Sequence, residues 1–394
     1  MQLAYTASRV IDGVSDEPLV DTAVVVDGDA IVRVVPSHQL DPDLEVRALG
    51  DVTLLPGLID CHRHLCLSSA ADWDAVFQRE TPARAAMRAT RNAQDTLRQG
   101  ITTVRDLGSR HGIGVALRQA IDEGMLPGPR VVASGTPIAM SGGHALYLCR
   151  VADGVAEMQR AAREELKAGA DVLKLMASGG VLPPSITPGA PQLSVAEMRA
   201  AVDEAHNQGK RVAAHAISRQ AIENALDAGA TSIEHGQYLS QELAARMAEQ
   251  ERYLVPTLAV FFLVHEEGTR RGLPAYVTEP ALAAARTGLQ AVQMAVSAGV
   301  TVGVGTDTGA FLMPHDKWTL LEDLKCFVRA GCSPMRALQA ATRDGARVLG
   351  LDDRVGTLQA GKFADFVAVE GDPLLDLDVL RQIRLIVKGG VQVV

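Results

Sequence analysis

The sequence predicts an α/β protein in which a (β/α)8 barrel of the TIM type carries a small β-sandwich built from both ends of the chain. Between residues 54 and 348, short apolar runs alternate with segments rich in Ala, Arg and Glu, whereas the two ends of the chain read as short strands and turns. Apolar runs separated by helical segments are typical of parallel strands that are buried on both faces. We therefore expect a barrel over 54–348 and a discontinuous small domain over 1–53 and 349–394.

Eight candidate strands can be placed along the central segment. They are expected within 54–60, 98–108, 129–135, 167–180, 207–216, 227–236, 252–258 and 297–307. Five of these stretches contain a glycine that suits the left-handed residue closing a helix, namely Gly100, Gly169, Gly209, Gly229 and Gly299. Eight such units favour a closed barrel. A doubly wound open sheet is the alternative, but no glycine-rich phosphate fingerprint follows any of the strands.

The terminal segments predict the small domain. Residues 23–36 read AVVVDGDAIVRVVP, a candidate hairpin with Asp27-Gly28 at its turn and β-branched residues on both sides. The C-terminal segment contains VGTLQAGKFADFVAVEGDP and IRLIVKGGVQVV, which also read as turns and strands. A small β unit is incomplete alone, so these strands are expected to pair with the N-terminal ones beside the barrel.

Composition narrows the classes of function. The chain of 394 residues has a net charge of −9 and no long basic run, which argues against nucleic-acid binding. The five cysteines lack CxxC spacing and indicate a reducing compartment, and the N-terminus lacks a signal pattern. No stretch approaches about 18 uninterrupted apolar residues, so no membrane span is expected. These features predict a soluble, cytoplasmic protein.

One stretch, LLPGLIDCHRH at 54–64, ends an apolar run in two histidines. In an extended strand His62 and His64 point to the same side, so both imidazoles can project from its carboxyl end toward one point. Convergent neutral imidazoles are what zinc requires. An isolated pair of histidines of this kind more often has a structural role. Whether these two bind a metal therefore depends on the residues that the other strands contribute.

The carboxyl ends of the other strands carry further residues able to bind metals. Together with the first pair, the set comprises His62, His64, Lys174, His215, His235 and Asp307. Active sites of such barrels lie at this end, and the joint placement predicts a metal site. Lys174 lies in the apolar run DVLKLM, where an unpaired ammonium is costly. It is a snorkelling side chain, one half of a buried ion pair, or a lysine of depressed pKa that reacts with carbon dioxide, and the spacing leaves these open.

Eight motifs span almost the whole chain, namely PGLIDCHRH, TTVRD, SGGHA, LKLMASGGV, AAHA, IEHG, GVGTD and VGTLQAGKFADFVAV. In these motifs the chain resembles the amidohydrolase superfamily, and within it the branch of imidazolonepropionase-related, prolidase-like dipeptidases and carboxypeptidases. The resemblance implies two divalent metal ions, expected to be zinc. The first would be held by His62, His64 and Asp307, the second by His215 and His235, and a carboxylated Lys174 would bridge them.

The resemblance also assigns catalytic roles. Asp307 would be the general base that takes a proton from a water shared by the metals and passes it to the leaving amine. His144, in the loop SGGHALY, would polarise the carbonyl or hold the substrate, and Tyr238 would contact the substrate's α-carboxylate. The alternatives are a loop histidine held by the local backbone and an aromatic side chain that caps the mouth of the barrel. The family often has glycine after this histidine, where this chain has Ala145. The proline-rich segment 181–194 is a candidate mobile lid.

The expected reaction is hydrolysis of an amide bond next to a C-terminal amino acid. The enzyme would be a dipeptidase, such as an Xaa-Pro dipeptidase, or an N-acyl amino acid carboxypeptidase. Two alternatives remain open: a cyclic-amide hydrolase or deaminase of the same superfamily, and a non-catalytic barrel that only binds. Lys174 argues against the single-metal deaminases, and the full ligand set argues against loss of the chemistry. The expected partners are a small-molecule substrate and further copies of the chain in a homo-oligomer, without nucleic acid or membrane.

Overall fold

The computed structural model describes residues 2–69, 76, 79–180, 189–310 and 313–393. Within them the fold is α/β, with one mixed sheet and two parallel sheets. The strands are β1 (Gln2–Val10), β2 (Leu19–Asp27), β3 (Ala30–Pro36), β4 (Glu45–Ala48), β5 (Val52–Pro56), β6 (Leu58–Arg63), β7 (Ile101–Asp106), β8 (Arg130–Ala133), β9 (Ile138–Ala139), β10 (Arg150–Val151), β11 (Val172–Met176), β12 (Arg211–Ala216), β13 (Ser232–His235), β14 (Tyr253–Val255), β15 (Phe366–Glu370), β16 (Ile383–Lys388) and β17 (Val391–Gln392).

The helices fill most of the chain between the parallel strands. They are α1 (Pro82–Arg98), α2 (Ile113–Asp122), α3 (Gly154–Lys167), α4 (Val195–His206), α5 (Arg219–Ala228), α6 (Gln241–Glu249), α7 (Leu258–Arg270), α8 (Ala275–Ser297), α9 (Thr319–Arg329), α10 (Pro334–Ala340) and α11 (Arg343–Leu349), with short 3₁₀ turns at Ser37–Gln39 and Leu377–Arg381. The predicted left-handed glycines are confirmed, since all five have positive φ, as at Gly229 after α5 (φ 91°). None of the helices in the described part of the chain is long and apolar enough to cross a membrane.

The two ends of the chain meet in the mixed sheet. Its order is β17-β16-β15-β5-β1-β2-β3, and β4 pairs with β1. The predicted hairpin is present as β2 and β3, with Asp27 opposite Ala30, so the turn residues are Gly28 and Asp29. One face of this sheet buries its own apolar cluster, in which Tyr5 meets Phe366 edge to face with ring centroids 4.9 Å apart.

The expectation of one strand over 54–60 is wrong. Leu54 to Pro56 belong to β5, which pairs with β15 in the mixed sheet, and β6 begins at Leu58 in a parallel sheet. Pro56 has no N–H to continue the pairing. At Gly57 a Cβ atom would lie 2.0 Å from Thr102 Oγ1, so only glycine fits the close crossing between the two sheets.

The parallel sheets hold the remaining expected strands except the last. One has the order β6-β7-β8 and the other β10-β9-β11-β12-β13-β14. The stretch 297–307 forms no strand. It makes a single parallel bridge from Val302 to Leu254, and Cys61 N donates to Val304 O at 2.8 Å. A Cβ at Gly305 would lie 3.0 Å from His62 N, so the chain crosses close to β6 without a regular ladder.

Candidate active site

Three of the predicted site residues lie at or near the carboxyl ends of parallel strands, and a fourth lies within such a strand. His62 is in β6, His215 is near the end of β12, and His235 is the last residue of β13. Lys174 lies in the middle of β11. All four side chains are at most 5% exposed, because the strands that carry them are covered on both faces.

The imidazole rings form one continuous cluster. The ring centroid of His235 lies 5.1 Å from that of His62 and 4.4 Å from that of His215. His62 is 5.4 Å from His64, and His144 is 4.5 Å from His215. The structure therefore brings together the five histidines predicted from separate parts of the chain.

Asp307 closes the cluster on one side. Its Oδ1 lies 3.2 Å from His64 Nε2 and 3.5 Å from His62 Nε2. Ligand atoms of His62, His235 and Asp307 all lie within 4.8 Å of one another, so these three can hold one metal ion. This triplet combines residues that the resemblance divides between two metals.

Two of these side chains depend on unusual backbone conformations. His235 and Asp307 have φ values of 71° and 54°, in the left-handed region that residues other than glycine rarely adopt. Strict alternation along β13 would place His235 on the same side as the core residue Ile233. The left-handed backbone instead brings the ring to the cluster, and conformations of this cost are concentrated at functional sites.

Each of two cluster rings is oriented through its Nδ1 atom. His62 Nδ1 lies 2.9 Å from Glu234 Oε2, and His235 Nδ1 lies 2.7 Å from Thr257 Oγ1. A carboxylate only accepts, so Nδ1 of His62 carries the proton and Nε2 keeps its lone pair. Partners of this kind are how proteins fix the tautomer and direction of histidine ligands.

Glu234 is in turn held by a buried arginine. Arg105 Nη2 donates to Glu234 Oε1 at 2.8 Å, Nη1 donates to Ser232 Oγ at 3.1 Å, and Nε donates to the Cys61 carbonyl at 2.6 Å. Ser232 Oγ donates to Glu234 Oε1 at 2.6 Å. Since Arg105 and Glu234 are both buried, their charges compensate each other, and the carboxylate is rigidly placed against His62.

Lys174 has no such compensation. It is 1% exposed, and among the described residues Nζ finds no hydrogen-bond partner. Burial lowers its pKa to about 8, against the smaller raising effects of Glu234 and Asp307. The predicted alternative of a snorkelling lysine does not fit so complete a burial, and no carboxylate lies within ion-pair distance in the part of the chain described.

The two predicted substrate residues border the cluster. His144 lies in the loop after β9, its Nδ1 is buried without a partner, and burial lowers its pKa to about 4. Ala145 has φ 54°, a left-handed conformation that suits glycine, so the alanine adopts it at some cost. Tyr238 is 46% exposed and is not in the cluster.

Comparison with known proteins identifies the family to which this chain belongs. The profile of the Amidohydrolase family matches residues 53–393. The chain belongs to the amidohydrolase family. Ochratoxinase of Aspergillus niger is 32% identical over 412 residues, which cover 95% of this chain and 83% of that protein. Imidazolonepropionase of Symbiobacterium thermophilum is 26% identical, over 86% and 79% of the two chains.

Comparison with solved structures agrees with the assignment of this chain to the amidohydrolase family. A Xaa-Pro dipeptidase with bound methionine in the active site superimposes with a TM-score of 0.89 at 30% identity, over 100% of this chain and 99% of that chain. The resemblance seen in the sequence motifs is thereby confirmed. The protein is an enzyme, a hydrolase that acts on amide bonds.

The residues of this amidohydrolase fit a metal of the kind its family uses. Burial lowers the pKa of His62, His215 and His235 well below the ordinary value, so all three rings are neutral and can donate lone pairs. Burial would raise the pKa of Asp307, but the neighbouring His62 and His64 bring it below its ordinary value, so the carboxylate is ionised. Neutral imidazoles and a carboxylate are a donor set suited to zinc and similar ions.

Sequence reasoning missed two residues of the site, Glu234 and Thr257, and left Arg105 undecided between an ion pair and a supporting role. Glu234 had a usable signal, because a carboxylate inside the apolar run SIEHG must find a buried partner. Thr257 had none, since its φ of 45° and its contact with His235 arise only in the folded chain. The candidate lid at 181–194 falls mostly outside the described residues.

Proposed function

We propose that this amidohydrolase cleaves an amide bond next to a C-terminal amino acid, as a dipeptidase such as an Xaa-Pro dipeptidase or as an N-acyl amino acid carboxypeptidase. The observation that carries the proposal is the buried cluster of His62, His235 and Asp307, bordered by His144 and by the exposed Tyr238. The similarity to a Xaa-Pro dipeptidase with methionine in its active site supports a substrate that ends in an amino acid.

The cluster would hold two divalent metal ions, with zinc as the first choice. His62, His64 and Asp307 would bind one, His215 and His235 the other, and a carboxylated Lys174 would lie between them. Two such ions supply a water of lowered pKa and polarise the scissile carbonyl. The modification of Lys174 is chemically balanced: its neutral amine adds to carbon dioxide, an N–C bond forms, and one proton is released. Burial without a partner favours the neutral amine that this reaction needs.

Asp307 would be the general base. Its carboxylate is ionised and 16% exposed, and Oδ1 is anchored by His62 and His64 at 3.5 and 3.2 Å. A water that enters the cluster would give its proton to this carboxylate, and the proton would then pass to the leaving nitrogen. The pairing keeps the base fixed between these two steps.

His144 and Tyr238 would position the substrate. Because the ring of His144 is neutral, it would donate one N–H to the carbonyl oxygen, and its unpartnered Nδ1 is one atom available for this. The hydroxyl of Tyr238 would donate to the α-carboxylate of the substrate. Their separate placement, one beside the cluster and one exposed at the rim, suits a substrate with its amide bond buried and its carboxylate nearer to solvent.

For the architecture we propose a closed (β/α)8 barrel over 54–348 with a small domain from 1–53 and 349–394. Support comes from contacts at both gaps between the parallel sheets. Asp171 N donates to Ala133 O at 2.8 Å between β8 and β11, and the stretch around Val302 contacts both β14 and β6. A homo-oligomer and a cytoplasmic location stay predictions.

The test is release of free amino acid from dipeptides and N-acyl amino acids by zinc-replete protein grown with bicarbonate. The panel varies the C-terminal residue first, with proline, apolar and basic residues, and ammonia is measured in the same samples. Release confined to one C-terminal class supports the proposal and identifies the pocket. Silence across the panel with metal bound would contradict it and favour cyclic amides, which the similarity to an imidazolonepropionase suggests, while ammonia would indicate deamination.

Asp307→Asn separates the base from the rest of the site. The amide keeps the size of the side chain but cannot accept the proton, so turnover should fall by about a hundredfold or more. Asp316→Asn, outside the cluster, is the matched control. Near-wild-type turnover in Asp307→Asn would refute the role of this residue as base.

A further inference from the structure

A second cavity lies at the opposite end of the parallel strands from the candidate active site. It has a volume of about 460 Å³, in the size range of pockets that bind small molecules. Its walls include Arg130, Val172 and Arg211, the first residues of β8, β11 and β12. The histidine cluster lies toward the other ends of the strands, and none of its five histidines lines this cavity.

The lining of this cavity is strongly basic. Six arginine or lysine side chains and two aspartates contribute to it. The excess of positive charge stands out on a chain whose net charge is −9. Concentrated charge of one sign in a concave, partly apolar site raises the local concentration of ions of the opposite sign.

Part of the positive charge is already neutralised. Arg118 is paired with Asp171, which also lies 3.9 Å from Lys210 Nζ. Arg105, at the inner wall, is fully engaged by Glu234 and its neighbours. The carboxylates beside Arg118, Lys210 and Arg105 balance these positive charges without a ligand.

Arg211 and Arg354 are different. Among the described residues neither has a carboxylate within ion-pair distance. Arg211 Nη1 donates to the carbonyls at the end of α11, including Val348 O at 2.7 Å, and a Cβ at Gly350 would lie 2.9 Å from its Cζ. The guanidinium is therefore fixed in place while its Nη2 has no acceptor in the part of the chain described.

Stacking on one aromatic ring fixes the guanidinium groups of Arg354 and of Arg130. Phe363 is flanked by Arg130, whose Cζ lies 4.2 Å from the ring centroid, and by Arg354 at 4.5 Å. Arg130 has one long contact with Asp365, at 3.4 Å, and its buried Nε has no hydrogen-bond partner. Stacking leaves the N–H edges of a guanidinium free for a further acceptor.

We infer that this cavity binds a small polyanion bearing phosphate or carboxylate groups, held by Arg130, Arg211 and Arg354 with Lys210 nearby. Guanidinium groups that are fixed in orientation and have free N–H edges are suited to bidentate contacts with both kinds of oxyanion. The inference is independent of the reaction at the other end of the strands. It assigns a ligand to a cluster of cations that the hydrolysis does not use.

The experiment is isothermal titration of the metal-replete enzyme with inorganic phosphate and, separately, with succinate, at up to about 10 mM anion so that dissociation constants near 1 mM are measurable. Binding of at least one is expected, and the stronger of the two identifies the phosphate or the carboxylate class. The affinity should fall as sodium chloride is raised, because the contacts are ionic.

Arg354→Gln is the decisive variant, because Arg354 is exposed and its loss leaves the core intact. Affinity should fall by about tenfold or more. Arg211→Gln should have a similar effect, although it also removes hydrogen bonds from the end of α11. Arg84→Gln, on α1 and outside the cavity, should bind like the wild type. Amide hydrolysis by Arg354→Gln should be unchanged.

Two results would overturn the inference. One is absence of binding heat for both anions. The other is equal affinity in the wild type and in Arg354→Gln, which would place any bound anion elsewhere, such as at the metal site.

Discussion

Two layers of buried polar groups lie among the parallel strands, and they differ in how completely their hydrogen-bonding groups find partners. In the layer around Arg105 and Glu234, five hydrogen bonds join side chains or backbone groups of four residues and His62. In the layer around Lys174, the ammonium and Nδ1 of both His64 and His144 have no hydrogen-bond partner among the described residues. Arg105, Glu234, Lys174 and His64 are all buried side chains, and the Nδ1 atom of His144 is buried as well.

The difference separates what stabilises the fold from what binds the ligands. A buried polar group without a partner costs about 1–3 kcal/mol, so the unpaired layer weakens the folded state on its own. Such a cost persists where another species completes the site. The paired layer stabilises the folded state, because its polar groups bond to one another, and it also fixes the orientation of His62. Substitutions in the two layers should therefore divide between activity and stability.

Lys174→Met should have the largest effect, which is a loss of activity. Activity should fall by more than about a hundredfold, because loss of a proposed metal ligand should exceed loss of a residue that only orients a ligand. Metal content should fall with it. Lys167→Met, at the exposed end of α3, is the matched control. A short-chain carboxylic acid should partly restore activity to Lys174→Ala, and full metal retention in either variant would contradict the bridging role.

The same lysine makes a pH-dependent prediction for metal-depleted protein in carbonate-free buffer. Its pKa is lowered from 10.5 to about 8 in the folded state, so the folded wild type is penalised by about 3 kcal/mol at pH 7. Lys174→Met should therefore unfold at higher urea concentration than the wild type at pH 7. The difference should shrink as pH rises from about 8 toward 10.5, where the unfolded lysine also becomes neutral. A difference that is constant with pH would show that Lys174 is not the cause.

Particular residues show how far the sequence alone could reach. The placement of His62, His215 and Lys174 on buried strands follows from strand periodicity, because an apolar run that carries such residues is a local pattern. The lack of a partner for Lys174 Nζ among the described residues is not local, since it depends on which side chains the other strands bring. The division of 54–60 into two strands at Pro56 and Gly57 also depends on distant parts of the chain, because Thr102 of a neighbouring strand leaves room only for glycine at position 57. The cavity at the other end also combines positions far apart in the chain.

Arg105→Met should have the next largest effect, which is a loss of stability. The substitution leaves Glu234 as a buried carboxylate without its cation, which costs about 3–5 kcal/mol. Urea denaturation of the metal-replete enzyme measures it. The double variant Arg105→Met, Glu234→Met removes both charges and should recover much of the loss, although its activity stays low because His62 has lost its partner. A double variant no more stable than Arg105→Met would mean that lost packing, and not the unpaired charge, is responsible.

Glu234→Gln sharpens the comparison within the paired layer. The amide can still accept from Arg105 and Ser232, so stability should fall less than in Arg105→Met. His62 Nδ1 loses a charged acceptor, and metal affinity should fall by about 10- to 100-fold. The measurement is metal content after competition with a chelator, with Glu242→Gln on α6 as an exposed control. Unchanged affinity would mean that the backbone of β6 suffices to orient the ring.

Thr257→Val tests the hydrogen bond that orients the second histidine of the cluster, His235, for which we expect the smallest effect. The substitution keeps the shape of the side chain and removes the hydroxyl that lies 2.7 Å from His235 Nδ1. A neutral partner holds a ring less firmly than a carboxylate, so metal affinity should fall by about tenfold or less. Thr257 has φ 45°, which a β-branched residue adopts only under strain, and valine inherits that strain without adding to it. Thr257→Ser restores the hydroxyl and should bind metal like the wild type; if Ser and Val lose affinity equally, the methyl group and not the hydrogen bond positions His235.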